Sequence, residues 1–239
     1  MDSSRRLAGV ARPPTFSRAG LVTGAVRIVP LLPTVAIYGL AFGISAASRL
    51  TFTETVLFSA FVCAGAAQMA SLQAWADPVP LAAVTLTTLG MNARYLLLGA
   101  ALRPWIGTLA PAPVYGSLFF LGDSNWALAL KERERGLEDA AFLLGSGIVT
   151  WATWVATTAI GHTFGAVLRD PARYGLDFVL PAFFASMLAA FVKRAADLVP
   201  LLVGAGVAIA FERFAPGPWS LLAGAVAGSA TALVRRDAR

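Results

Sequence analysis

The chain has 239 residues, 57% of them hydrophobic and 13% charged. A soluble domain is about a quarter charged, so this composition cannot cover a water-facing surface and excludes an ordinary soluble fold. The net charge of +6 sits in short basic clusters between apolar blocks, as in loops flanking membrane spans, and no continuous basic face, zinc-finger or RNP pattern points to nucleic acid.

In chain order, Arg5, Arg6, Arg12 and Arg18 precede the first apolar block, residues 27–49. That block is about the length of a full span and longer than a signal-peptide core, so it reads as an uncleaved first helix. Further blocks cover residues 55–75, 79–102 and 114–130, the last interrupted by Asp123. A fifth covers 140–165 and a sixth 176–192; two shorter ones, 198–211 and 218–234, follow. Each block is continuously apolar rather than alternating, which predicts helices and not a barrel, because lipid leaves every backbone polar group to be paired internally. The expected fold class is therefore all-α: a polytopic transmembrane helix bundle of about seven or eight spans, the short seventh block deciding between them. Residues 1–26 are expected to form a basic cytoplasmic arm, 27–235 the membrane domain and 236–239 a cytoplasmic tail.

Connections carry turn and charge signals. Asp77-Pro78 and Ala110-Pro111 mark turns, and the polar run from Lys131 to Gly136 reads as a solvated loop. With eight spans and a cytoplasmic N-terminus, thirteen Lys and Arg residues fall inside and five outside, Arg103 among the five, while Arg94 lies within a span. That asymmetry supports both termini inside; with seven spans the C-terminus faces outward.

Small-residue pairs at Gly39/Gly43, Gly161/Gly165 and Gly224/Gly228 predict close helix contacts. Pro30, Pro33 and Pro181 each remove a helical donor within a block. The shared Leu-Pro at Leu32-Pro33 and Leu180-Pro181 raises an inverted repeat with broken helices and a midplane site.

Ionisable groups at membrane depth are costly and face a cavity or a partner. Arg94 and Asp123 are the two such candidates. Arg94 suits a substrate carboxylate, with Asp123 facing an ammonium group or carrying a coupled proton. The alternatives are a permanent Arg94–Asp123 ion pair that fixes helix packing, or snorkelling to an interface. Gln68 can bond a substrate or a neighbouring helix, Asn92 shares the Arg94 segment, and Gly65 beside Gln68 lets backbone approach a ligand. His162, the only histidine, reads as an interfacial residue of no special role. Cys63, the only cysteine, reads as a small core residue and excludes an internal disulfide.

One histidine and one cysteine exclude the HExxH and zinc-cluster patterns. Neither Lys131 nor Lys193 follows a glycine, so there is no Walker A loop, and no G-x-S-x-G elbow appears. No catalytic set assembles. The expectation is a protein that is not an enzyme and needs no cofactor or metal.

Pro33 with Tyr38-Gly39-Leu40-Ala41-Phe42-Gly43, then Ala64-Gly65-Ala66-Ala67-Gln68, then Asn92-Ala93-Arg94-Tyr95-Leu96-Leu97-Leu98-Gly99, the Asp123 segment and Leu180-Pro181-Ala182-Phe183-Phe184 together resemble the AzlC family of branched-chain amino acid exporter subunits. The resemblance runs from about residue 20 to the end. It implies export of branched-chain or other hydrophobic amino acids across a bacterial inner membrane, with a small membrane partner of the AzlD type. Two positions depart from the family pattern: Tyr95 stands where a histidine usually follows the arginine, and Asp123-Ser124 where Asp-Glu is common. A role resting on that histidine or glutamate does not carry over. A channel for a small solute and a non-transporting scaffold subunit are the other readings.

Overall fold

A computed structural model describes residues 14–75, 78–167, 194–214 and 218–237, with single positions 178, 182, 185, 189 and 192. The basic residues before Pro14, Asp77 of the first turn, Arg169, Arg173, Lys193 and, apart from those single positions, the predicted sixth block with its Leu180-Pro181 break lie outside the described residues. So does the comparison of the two Leu-Pro breaks on which an inverted repeat rested.

The described residues are almost entirely helical, and the protein is an all-α membrane protein. Ser17 caps α1 (Arg18–Arg27) by accepting from the Gly20 amide at 3.0 Å. Helix α1 therefore begins inside the stretch expected as an arm. Pro30 lacks a donor, and the path tightens there into a 3-10 turn, Val29–Leu31, before α2 (Leu32–Ala46). Together they form one helical stretch, Arg18–Ala46, long and apolar enough to cross a membrane. A Thr51–Glu54 capping box opens α3 (Phe52–Val62). Cys63 then adopts a left-handed conformation at φ 37°, ending the helix, and α4 (Gly65–Gln73) follows. Helices α5 (Leu81–Asn92) and α6 (Arg94–Ile106) meet at Ala93 and together make a second crossing stretch. Helix α7 (Pro111–Phe119) has proline in its first turn, and α8 (Asp123–Glu134) begins after Gly122. The long α9 (Ala141–Val167) contains a third crossing stretch. A 3-10 turn, Ala195–Asp197, leads into α10 (Leu198–Glu212), the fourth, and α11 (Pro218–Asp237) follows.

The chain divides into two compact units, Met1–Ile37 with Arg94–Thr157, and Tyr38–Ala93 with Thr158–Arg239. In the first unit, Asp139 accepts from the Ser17 amide and hydroxyl and from the Ala141 amide, so one carboxylate serves the N-termini of α1 and α9. In the second, a Cβ on Gly161 would strike the Leu40 backbone, and one on Gly43 the Thr158 and His162 backbones. The predicted small-residue pairs thus let α2 and α9 cross at backbone contact. Gly204 of α10 meets Gly224 of α11 in the same way.

Two predicted spans are each broken into a pair of short helices. The block 55–75 folds back at Cys63 as an antiparallel hairpin of α3 and α4. The Arg49 side chain, just before α3, donates to the carbonyls of Leu72 and Trp75 at 3.0 Å each, and Trp75 stacks near Phe58 at 6.2 Å. The block 114–130 likewise folds back between Phe119 and Asp123. Helix α7 returns along α6, with Leu118 near Gly99. Helix α8 then runs parallel to α6: Trp126 Nε1 donates to Leu98 O at 3.2 Å, and Arg133 lies over the Trp105 ring at 5.2 Å. At 1.5 Å per residue each arm is about 14–18 Å long, against a hydrocarbon core of about 30 Å. No arm is long enough to cross such a core alone.

This corrects two further expectations. The run from Lys131 continues α8 to Glu134 as helix, and the turn comes at Arg135 and Gly136, whose φ is 98°. Trp105 Nε1 donates to Glu138 O at 3.2 Å, and the Ala140 amide to Thr15 O at 2.8 Å. Arg103 therefore shares one end of its unit with Arg18 and the 131–135 run, where the eight-span count had put it opposite. His162 is buried, at 6% exposure; its Nε2 bonds Leu50 O at 3.0 Å, and its ring meets Phe52 edge-on.

Candidate functional site

The two charged candidates come together. Arg94 opens α6, and Asp123 opens α8 at the tip of the second hairpin. Because α6 and α8 run side by side from the same level, their first residues face each other. Arg94 Nη2 lies 3.0 Å from Asp123 Oδ2, with the side chains 32% and 58% exposed. Arg94 stands halfway along the crossing stretch Leu81–Ile106, where an unpaired cation would be expensive. The guanidinium also lies 5.2 Å from the centre of the Tyr95 ring, a cation–π contact made by the residue that departs from the family pattern. Its Nε is buried and has no hydrogen-bond partner. The ion pair therefore uses only part of the donor fork, and one donor is left for a ligand or is an unmet cost.

The break at the hairpin tip is held from within. Asn125 is completely buried. Its Oδ1 accepts from the Gly122 amide at 2.7 Å, and its Nδ2 donates to Phe120 O at 3.2 Å and Leu143 O at 3.4 Å. One side chain thus satisfies the backbone groups freed where α7 stops and α8 starts, and ties them to α9. Gly147 of α9 packs directly on this tip: a Cβ there would lie 2.6 Å from Phe120 O and 2.9 Å from Asn125 Nδ2.

The remaining candidates belong to the other unit. Gln68, completely buried in α4, donates from Nε2 to Ser59 Oγ of α3 at 3.1 Å, and Ser59 donates to Thr158 Oγ1 of α9 at 3.2 Å. Gln68 thus bonds a neighbouring helix, across the first hairpin. Gly65 is the first residue of α4, following Ala64, which supplies no side-chain cap. Asn92 ends α5, and its Oδ1 is buried without a partner. Of the five predicted site residues, Arg94 and Asp123 are brought together; Gly65, Gln68 and Asn92 lie in the second unit.

Sequence reasoning missed Asn125, Ser59 and Thr158. The available signal was the same for all three: a polar side chain within an apolar block, which in lipid must find a partner. Among the described residues no cluster of three or more His, Cys, Asp or Glu side chains is arranged to hold a metal ion.

The family model described as AzlC protein matches residues 30–168, which include both hairpins and the Arg94–Asp123 pair. Inner membrane protein YgaZ of Escherichia coli (strain K12) is 31% identical over 234 residues, covering 93% of each chain. No solved structure matches. With a family model spanning more than half its length and a relative aligned nearly end to end, the chain belongs to the AzlC family.

Proposed function

We propose that this chain is the large subunit of a secondary transporter that exports branched-chain or other hydrophobic amino acids from a bacterial cell, working with a small membrane partner of the AzlD type. One observation carries the reading. At mid-depth of a membrane stretch, Arg94 holds Asp123 by a single 3.0 Å contact while its Nε stays buried and unpartnered. A substrate carboxylate is the complement of that fork. Asp123, more than half exposed, is placed to yield Arg94 to the carboxylate and to face the substrate ammonium. The apolar substrate side chain suits the hydrophobic surroundings, and no bound cofactor is needed.

The similarity to an inner membrane protein supports an inner-membrane location. The end of the first unit that carries Arg18, Arg103 and the 131–135 run would face the cytoplasm by the positive-inside rule.

The test is counterflow of radiolabelled leucine, valine and methionine in proteoliposomes, with and without the partner. The expected result is saturable exchange that requires both chains. Removing one charged hydrogen-bonding partner is worth roughly 1.5–3 kcal/mol, so Arg94→Ala should raise the half-saturating substrate concentration about 10- to 150-fold. Non-saturating conductance would instead indicate a channel. Wild-type exchange by folded Arg94→Ala and Asp123→Asn proteins would leave only a scaffold role.

A further inference from the structure

We infer that Asn125 is the positioning residue of the Arg94–Asp123 site: it fixes the tip of the second hairpin to α9 and so sets where Asp123 stands relative to Arg94. This rests on the reading that the pair handles the cargo. Asp123 is the first residue of α8; in the break before it the Leu121 amide turns back onto Leu118 O and Gly122 O accepts from the Trp126 amide, while the Gly122 N–H and Phe120 O are met by a side chain. A short irregular backbone at membrane depth persists only where protein groups satisfy it. Here a single buried amide serves both groups that no backbone bond reaches. Asn125 closes onto the Gly122 amide at 2.7 Å, onto Phe120 O at 3.2 Å and onto Leu143 O of α9 at 3.4 Å.

The geometry is specific to an amide. An acceptor is needed for the Gly122 N–H and a donor for the two carbonyls, and Asn carries both on one planar group. The Asp123 side chain itself contacts Arg94 at one oxygen only, so its placement comes from the backbone that Asn125 holds. Gly147 is the other half of the device. Its missing Cβ is what lets α9 approach Phe120 O and the Asn125 amide. A loose tip would leave the chain folded but would let Asp123 wander from Arg94, and an interaction loses strength when its geometry loosens by about an ångström.

Two measurements separate this inference from the function it rests on. The first needs no transport. In a Cys63→Ser background, spin labels are placed at Leu97→Cys on α6 and Ala127→Cys on α8; both positions are exposed, and Leu97 is 74% exposed. With Asn125 intact the expected spectrum is one narrow short-range dipolar coupling. With Asn125→Ala, or with Gly147→Ala, the coupled fraction is expected to fall at least about twofold as distances spread. Unchanged spectra in both would overturn the inference. Where Asn125→Ala does not fold, Asn125→Asp decides: it keeps the acceptor toward Gly122 and loses both donors.

The second is a double-mutant cycle in leucine counterflow. Asn125→Ala is expected to raise the half-saturating leucine concentration about tenfold with the maximal rate changed less, and to add nothing in an Asp123→Asn background. Full additivity, or loss of maximal rate with no change in half-saturation, would show a merely structural residue. If Arg94→Ala transports normally while the spin-label result holds, the functional reading fails and the positioning of the tip stands.

Discussion

Replacing Ser59 with alanine tests the interior of the second unit. Ser59, Gln68 and Thr158 are each completely buried. Ser59 Oγ accepts from Gln68 Nε2 at 3.1 Å and donates to Thr158 Oγ1 at 3.2 Å. Alanine differs by one oxygen, so little cavity forms and the change isolates two hydrogen bonds. It removes the Ser59 acceptor from the Gln68 amide and the donor from the Thr158 hydroxyl. Unpaired buried groups cost about 1–3 kcal/mol in soluble proteins, whereas interhelical hydrogen bonds in membranes average about 0.6 and reach about 1.7 kcal/mol. The membrane scale governs here, giving roughly 1–2 kcal/mol for the two bonds together. For a chain of this size that lowers Tm by about 2–8 °C. The assay is thermal unfolding in detergent followed by tryptophan fluorescence, with Ser48→Ala as the control, since Ser48 Oγ bonds only Ser45 O on an exposed surface. Thr158→Val removes one bond and should show about half the shift. A Ser59→Ala protein that unfolds within about 1 °C of the control would refute the idea that this chain of hydroxyls and amide closes the first hairpin.

Gly161→Leu forces a side chain into the Leu40 backbone; overpacking of this kind costs about 1–3 kcal/mol or more, and the expected result is a lower folded yield by size-exclusion chromatography, with a wild-type yield counting against the α2–α9 contact. Arg49→Ala removes the two 3.0 Å bonds that hold the end of α4. Hydrogen exchange of α4 amides should rise about tenfold by mass spectrometry, and an unchanged rate would argue against a closed hairpin. Arg135→Cys in a Cys63→Ser background is expected to react with a membrane-impermeant maleimide in inside-out vesicles and not in right-side-out ones; the opposite pattern would reverse the proposed orientation.

How much of this was legible in the sequence differs by residue. Helical membrane character was, because continuous apolarity in lipid leaves the backbone few options. The close approach at Gly43 and Gly161 was, because a missing side chain marks where another helix can enter. The two hairpins were not. Hydropathy adds apolar residues along the chain and carries no direction, so residues 55–75 read as a span whether they continue or turn back. What reverses them is a left-handed Cys63 and an arginine bonded to carbonyls far along the chain; neither leaves a mark in a window of mean apolarity.

The same contrast separates the site residues. Arg94 and Asp123 could be singled out on paper because a charge at mid-depth is costly enough to need a cavity or a partner, and a pair between them was one of the alternatives that cost left open. Gln68 could not be assigned, because a neutral amide is satisfied by any hydroxyl, carbonyl or amide within reach. Its partner proved to be Ser59, in the other arm of a hairpin whose existence the sequence did not reveal. Asn125 went unnoticed for the same reason: its three backbone partners become neighbours only after the chain has turned at Phe120 to Gly122. In a membrane sequence, therefore, an ionic side chain already constrains its own surroundings, whereas a neutral polar one gains meaning only once the backbone path is known.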